Sequence, residues 1–303
     1  MRSESDGLGI SVLAVTPSES CPKAVLQLSH GMCGCKERFL PFMEFMAANG
    51  VACVANDHRG HGASVICEDD LGYMYKGGYE ALVDDMVMVA TWIHEKHEGL
   101  PLYLLGHSMG SLAARAFVRQ HDDMVDGLIV CGTPGRSSLS RAGFVITGIM
   151  EKAGAGRWRP SALISFASGL YNRRFRKEGP GAWTCSDISV RNAFRANPLC
   201  NYVFTVNGIH NLLGLMTETY RQEGWRMSNA SMPVVFMSGA DDPCMAGEGR
   251  FHESVADMYR HGYHDISSAL YTGMRHEILN ETDREYVWND ILLFILSHLP
   301  AQF

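Results

Sequence analysis

The sequence predicts an α/β protein with a mostly parallel central sheet flanked by helices and one helical insertion. Two observations carry this. Short apolar runs bounded by glycine, proline or polar residues recur along the chain, as buried parallel strands do, and stretches of helical period separate them. That alternation implies crossover connections with helices on both faces of the sheet. It lapses once, between about residues 137 and 231, and then resumes.

Taken in order, Ile10–Val15 is expected to add an antiparallel strand at the N-terminal edge. Ala24–Ser29 (AVLQLS) reads as a buried strand, Phe39–Asn49 as a helix, and Val51–Asn56 (VACVAN) as the next strand. Glu80–His97 is helical in period, Leu102–Gly106 (LYLLG) is a strand, Met109–Gln120 a helix, and Gly127–Cys131 (GLIVC) a strand. Beyond the lapse come strand Pro233–Ser238 (PVVFMS), helix Glu248–Arg260 and strand Ser268–Thr272 (SALYT). A last helix, Asp283–Leu299, stops at Pro300, which cannot continue it. The lapse itself holds broken helical patterns at Phe144–Ala153 and Asn207–Thr219. The expected organisation is therefore one core from residues 1–135 and 229–303, with residues 136–228 inserted as a helical cap.

Composition narrows the function classes. The chain has 303 residues, 46% hydrophobic and 19% charged, enough for a large core. No apolar window is long enough to predict a membrane span, and the polar N-terminus MRSESDGLGI lacks the apolar run of a secretory signal. Nine cysteines form an odd set without a framework spacing, which fits a reducing compartment and predicts a cytoplasmic protein. A net charge of −7 argues against nucleic-acid binding. Residues 136–228 carry 13 Lys/Arg against 5 Asp/Glu, a net of +8 that leaves −15 on the rest.

The chemistry starts at Leu102–Arg115, LYLLGHSMGSLAAR. A strand runs into Gly106-His107-Ser108-Met109-Gly110 and then into a helix, which is the nucleophile-elbow pattern G-x-S-x-G. The turn is so tight that side chains two before and two after the serine would collide. The following helix points its N-terminus where negative charge would develop. A serine nucleophile needs a base, and the base an orienting acid, in the chain order Ser, Asp or Glu, His. Strand Pro233–Ser238 runs into Gly-Ala-Asp241-Asp242-Pro243, and strand Ser268–Thr272 into Gly-Met-Arg-His276-Glu277. Both loops lie at carboxyl ends of strands, where open α/β sheets build their sites. His276 is the expected base. Asp242 is the favoured acid, because the residue before proline is held extended, with Asp241 as the alternative.

Two backbone N–H groups are expected to hold the oxyanion. One belongs to Met109, the residue after the serine. The other belongs to Met32, in the loop His30-Gly31-Met32 that follows the strand Ala24–Ser29. His30, Gly31 and His107 flank these positions and are expected to line the substrate site. No cofactor is required, and no metal is expected. His58, Arg59 and His61 in NDHRGHGAS complete no zinc spacing and read as a structural loop turned by Gly60 and Gly62.

The motifs HGM (30–32), NDHRGHGAS (56–64), GHSMG (106–110), GADDP (239–243) and RHEILNE (275–281), with RANPLCNYVFTVNG (195–208), together resemble the monoglyceride lipase and lysophospholipase branch of the α/β-hydrolase superfamily, grouped with serine aminopeptidases. The resemblance spans almost the whole chain. It implies the α/β-hydrolase fold with a helical lid, a triad of Ser108, Asp242 and His276, and oxyanion donors at Met32 and Met109. It strengthens Asp242 over Asp241, since that family's acid directly precedes the proline. One departure stands out: relatives usually carry an acidic or small residue, often then histidine, after the HG, whereas this chain has Cys33-Gly34-Cys35-Lys36. These cysteines lack further metal ligands and are expected near the mouth of the site.

The expected activity is hydrolysis of carboxyl esters of single-chain lipids, monoacylglycerols or lysophospholipids, through an acyl-enzyme. Aminopeptidase or thioesterase and small-ester chemistry on the same fold are alternatives, as is a non-catalytic sensor that keeps the pocket. Phe144, Ile146, Ile149, Leu163, Phe166 and Leu170, followed by Phe204, Ile209, Leu212, Leu213 and Leu215, suit either an acyl tunnel or the cap's own core. The basic cap, with Trp158, Arg173, Arg174, Arg176 and Lys177, is expected to make transient contact with anionic membrane surfaces. The residues carry no signal for an oligomeric state.

Overall fold

Strands β1 (Val12–Val15), β2 (Ala24–Ser29), β3 (Val51–Asn56), β4 (Leu102–His107), β5 (Gly127–Cys131), β6 (Val234–Gly239) and β7 (Ile266–Tyr271) build one sheet. The structure, a computed structural model, describes residues 1–300. The strand order is β1-β3-β2-β4-β5-β6-β7. Only β1 runs antiparallel, against β3, where an edge strand was expected. From β2 the chain steps to β3 on one side and later to β4 on the other, so the order reverses between β2 and β4. Such a reversal leaves a crevice at the carboxyl ends of the two strands.

The five inner strands, β2 to β6, are buried on both faces, which is why they read as continuous apolar runs, while the edge strands β1 and β7 are partly exposed. Leu26, Leu28, Tyr103 and Leu105 pack toward α1 (Leu40–Ala48) and α9 (Arg284–Ser297). Val25, Leu102, Leu104 and Leu128 pack toward α2 (Gly78–Lys96), α3 (Met109–His121) and α8 (Glu248–Arg260). Between β5 and β6 the chain forms α4 (Ser140–Met150), α5 (Ser161–Tyr171), α6 (Ile188–Ala196) and α7 (Val206–Thr219). Leu215 of α7 joins the core on the α3 side of the sheet, which anchors this segment to the body.

Several expectations needed adjustment. β7 starts two residues earlier than the apolar pattern suggested, since Ile266 and Ser267 pair with Val234 and Val235. Helices α5 and α6 were not visible as helices. Helix α5 (SALISFASGLY) is rich in serine and small residues and apolar on more than one face, so its period is blurred. Helix α6 is short, but Asp187 caps it by accepting the Ser189 N–H at 2.8 Å, a signal the sequence did contain. The apolar residues of the insertion also divide. Phe204 and Leu215 are core, and Ile209, Leu212 and Leu213 face a cavity. Ile146, Ile149, Leu163, Phe166 and Leu170 are exposed on the outside, each by 57–66%.

One buried ion pair joins two helices on the same face of the sheet. Arg115 of α3 contacts Asp257 of α8 at 3.2 Å, with both side chains 1% exposed or less. Asp257 also accepts from Gln222 at 2.7 Å. Asp257→Ala would leave the Arg115 guanidinium buried without its counter-charge. Breaking such a pair costs about 3–5 kcal/mol. Urea denaturation is expected to show that loss for Asp257→Ala, whereas Arg250→Ala, which removes an exposed pair with Glu253, should cost at most about 1 kcal/mol.

Candidate active site

The centre of the site is a turn that ordinary residues avoid. Ser108 sits at φ 55°, ψ −120° between β4 and α3. The neighbouring glycines are obligatory for close approach: a Cβ on Gly106 would lie 2.3 Å from the Gly110 carbonyl oxygen, and one on Gly110 would lie 2.0 Å from that of Ser29. The Ser108 N–H is tied to the Cys131 carbonyl of β5 at 3.0 Å, which pins the turn to the sheet edge.

His276 and Asp242 arrive from the loops after β7 and β6. His276 Nε2 lies 2.8 Å from Ser108 Oγ, and its Nδ1 lies 2.9 Å from Asp242 Oδ2. Asp242 is 2% exposed and His276 5%. Asp242 Oδ1 accepts the Cys244 N–H at 2.7 Å, so the carboxylate is fixed by its own turn before Pro243. Asp241 points elsewhere and pairs with Arg174 at 2.6 Å, which removes it as the partner of His276. Burial pulls the His276 pKa down, but the charge and hydrogen bond of Asp242 outweigh it and leave the imidazole above its ordinary range.

The loop after β2 completes the centre. Gly31 and Met32 line the cavity over Ser108, as does Met109. The Gly31 carbonyl is held by two donors, His30 Nδ1 at 2.8 Å and the Gly34 N–H at 3.0 Å. Because a trans peptide points its N–H opposite its C=O, this grip turns the Met32 N–H the other way. His30 is neutral for this task. Its Nε2 accepts the His58 N–H at 3.0 Å, so the proton resides on Nδ1. Burial lowers its pKa to about 4. His107 is likewise neutral, with its pKa lowered to about 4 by burial and then by His276. Its Nε2–H donates to the His276 carbonyl at 3.0 Å. His30 and His107 thus line the site, the first spending both ring nitrogens on backbone and the second its Nε2.

The loop NDHRGHGAS is knitted to its own surroundings. Arg59 Nε pairs with Asp85 at 2.9 Å and Arg59 Nη2 donates to Ser3 at 2.9 Å. His61 Nδ1 bonds the Arg59 carbonyl at 3.0 Å, and Ser29 Oγ lies 2.9 Å from His58 Nε2. Cys33 and Cys35 line the cavity, yet they are 8% and 0% exposed, so they belong to its wall and not to an open mouth. Burial pushes the Cys33 thiol up to about 12. Cys35 Sγ lies 3.7 Å from Cys200 Sγ, which comes from the insertion between α6 and α7.

The sequence reading missed the residues that tie the insertion to the His276 loop. The Glu277 N–H donates to the Thr184 carbonyl at 2.7 Å. Arg275 donates to the Ala182 carbonyl at 2.6 Å and to the Glu178 carboxylate at 2.8 Å. Glu281 accepts the N–H groups of Arg275 and Ser186, both at 2.9 Å. Arg38 grips both oxygens of Glu277, one at 3.0 Å. That pairing holds Glu277 down at about 2 despite its burial. The charged residues flanking His276 in RHEILNE were the available signal. Trp183 packs its ring 5.2 Å from that of His276. Above the serine lies a cavity of about 870 Å³, roofed by residues of α5, α6 and α7.

A family model described as serine aminopeptidase, S33 matches residues 20–283. The chain is 33% identical over 283 residues to the monoglyceride lipase homolog of Monkeypox virus, covering 92% of this chain and 91% of that one. It is 23% identical over 304 residues to the monoacylglycerol lipase of Mycolicibacterium smegmatis, covering 98% of both. Its fold is similar to that of a thermostable carboxyl esterase from Bacillus coagulans, with a TM-score of 0.89, 24% identity, and coverage of 99% of this chain and 97% of that one. A strained serine turn at the carboxyl edge of a parallel sheet, with these matches across the chain, leads to one conclusion: the chain belongs to the serine aminopeptidase S33 family, in the monoglyceride lipase-like branch of α/β-hydrolases, and is a carboxylic ester hydrolase.

Proposed function

We propose that this enzyme cleaves carboxyl esters of single-chain lipids, monoacylglycerols or lysophospholipids, through an acyl-enzyme. The observation that carries this reading is the unbroken hydrogen-bond line from Ser108 Oγ through His276 to Asp242, set beneath a largely apolar cavity of about 870 Å³. That volume is near the upper end for small-molecule pockets, and apolar side chains such as Ile164, Leu212 and Met216 suit an acyl chain.

In this mechanism Ser108 attacks the ester carbonyl while His276 takes its proton. Asp242 holds the imidazole in the productive tautomer and stabilises the imidazolium. The developing oxyanion is received by the N–H groups of Met32 and Met109. His276 then gives the proton to the leaving alcohol, and water, activated by the same base, releases the fatty acid. Residues 136–228 act as a cap that keeps bulk water off the acyl-enzyme. An aminopeptidase would need a free carboxylate to hold a substrate amine. Glu277 is the acid in the cavity lining, and Arg38 occupies it.

The outer face of the cap supports a membrane role. Leu163, Phe166 and Leu170 of α5 are 58–66% exposed, next in sequence to Arg173, Arg174, Arg176 and Lys177. We propose that this face rests transiently on anionic lipid surfaces while the enzyme works in the cytoplasm. Among the described residues no helix is long and apolar enough to cross a membrane.

Turnover of a chain-length series of monoacylglycerols should disappear in Ser108→Ala, and persistence of more than a trace would refute the mechanism. The base must be neutral, and its pKa lies above the ordinary 6.5, so kcat/KM should fall as pH drops through a value above 6.5. Asp242→Asn should shift that acid limb downward and lower kcat by about 10,000-fold. On anionic vesicles the rate should fall as salt shortens the Debye length from about 30 Å at 0.01 M to about 8 Å at 0.15 M. A flat salt response would remove the membrane role.

A further inference from the structure

The cavity lining contains five arginines, Arg38, Arg136, Arg191, Arg195 and Arg250, against one acid, Glu277. Three of the five are matched. Arg38 pairs with Glu277; Arg250 and Arg136 reach Glu253 at 2.6 and 4.0 Å. Arg191 and Arg195, both on α6, have no carboxylate partner among the described residues. Arg191 is only 6% exposed, its Nη1 donates to the Glu178 carbonyl at 3.1 Å, and its Nε has no acceptor. The Glu178 carboxylate is committed to Arg275. Arg195 Nη2 donates to the Pro180 carbonyl. Residues four apart on a helix are neighbours, and carbonyls two residues apart on one loop hold these two guanidiniums. Two like charges so placed repel each other, and a buried one is costly without a counter-ion.

We infer that Arg191 and Arg195 form an anion subsite in the cavity wall, with Arg191 buried and Arg195 at the exposed rim, and that the preferred substrate is a single-chain glycerol ester whose glycerol carries a phosphate monoester. The inference rests on the ester-hydrolase reading above and names the substrate within it. Three arguments support it. The pair lines the same cavity as Ser108 and His276, and Phe194, between the two arginines in sequence, packs under Arg38 at 4.8 Å, whose partner Glu277 is the residue next to His276. His276 is the group that protonates the leaving alcohol. Two guanidiniums match a dianion, and a phosphate monoester carries about −1.5 to −2 at neutral pH where a carboxylate carries −1. The fork of N–H donors on arginine fits phosphate oxygens in a way a single ammonium does not.

The test separates binding from turnover. The Ser108→Ala protein, which keeps the cavity, is titrated calorimetrically with glycerol 3-phosphate, glycerate and glycerol. Glycerol 3-phosphate should bind at least about tenfold more tightly than glycerol, the scale of one charge-assisted hydrogen bond, and more tightly than glycerate. The preference should shrink in both Arg191→Gln and Arg195→Gln, the second being a surface-exposed change that spares the fold. In the active enzyme, the ratio of kcat/KM for 1-oleoylglycerol 3-phosphate over 1-oleoylglycerol should fall about 10- to 100-fold in either variant. Equal binding of glycerol 3-phosphate and glycerol overturns the subsite, as does glycerate binding as tightly as the phosphate, or a preference unchanged in both variants. If the wild type cleaves no single-chain ester, the activity reading fails, while the calorimetry still reports on the subsite.

Discussion

The geometry of the candidate site hangs on one strained turn. Ser108 occupies a positive-φ conformation that a serine adopts only under compulsion. Strain of this kind costs about 1–3 kcal/mol and persists only where the surroundings over-determine it. Here the surroundings are β4, buried along its whole length, and α3, most of whose residues are buried too. The sheet and the helix can meet at that angle only because Gly106 and Gly110 present no Cβ to each other's backbone or to Ser29. The strain is thus held by the core, and its product is a hydroxyl lifted clear of the sheet edge with a helix N-terminus behind it.

A second layer fixes what the elbow cannot. His30, His58, His61 and His107 surround the centre and are buried, but none of the four pairs with a carboxylate among the described residues. Burial lowers the pKa of each, so they remain neutral hydrogen-bonding struts at neutral pH. His276 differs because a carboxylate faces its Nδ1. Two imidazoles whose ring centroids are 4.9 Å apart, His107 and His276, are thereby driven in opposite directions by their partners. That divergence sets His276 apart from the other four histidines.

Much of this was readable from the sequence, for identifiable reasons. The inner strands announce themselves because both faces are buried, and the elbow because its sterics admit glycine alone at two positions. The proline after Asp242 singled out that residue over Asp241, whose side chain turns to Arg174. The insertion was less legible. Helix α5 is apolar inside and outside alike, so no moment distinguishes the cavity-lining Ile164 and Ala167 from the exposed Leu163 and Phe166. The ties from Glu277 and Arg275 to residues 182–185 join positions about ninety apart in sequence, and no local pattern encodes such pairs. Cys33 and Cys35 looked like a motif at the mouth and are wall residues, one of them facing a cysteine that the sequence places 165 positions away.

The central claim is that the elbow makes Ser108 a nucleophile and that no other side chain serves in its place. The most direct measurement is labelling of the folded protein with a fluorophosphonate probe, followed by mass-spectrometric mapping of the adduct. The account predicts one phosphonyl group per chain, on Ser108, and none on Ser108→Ala. An unlabelled wild type, or an adduct that persists at another residue when Ser108 is replaced, would contradict it.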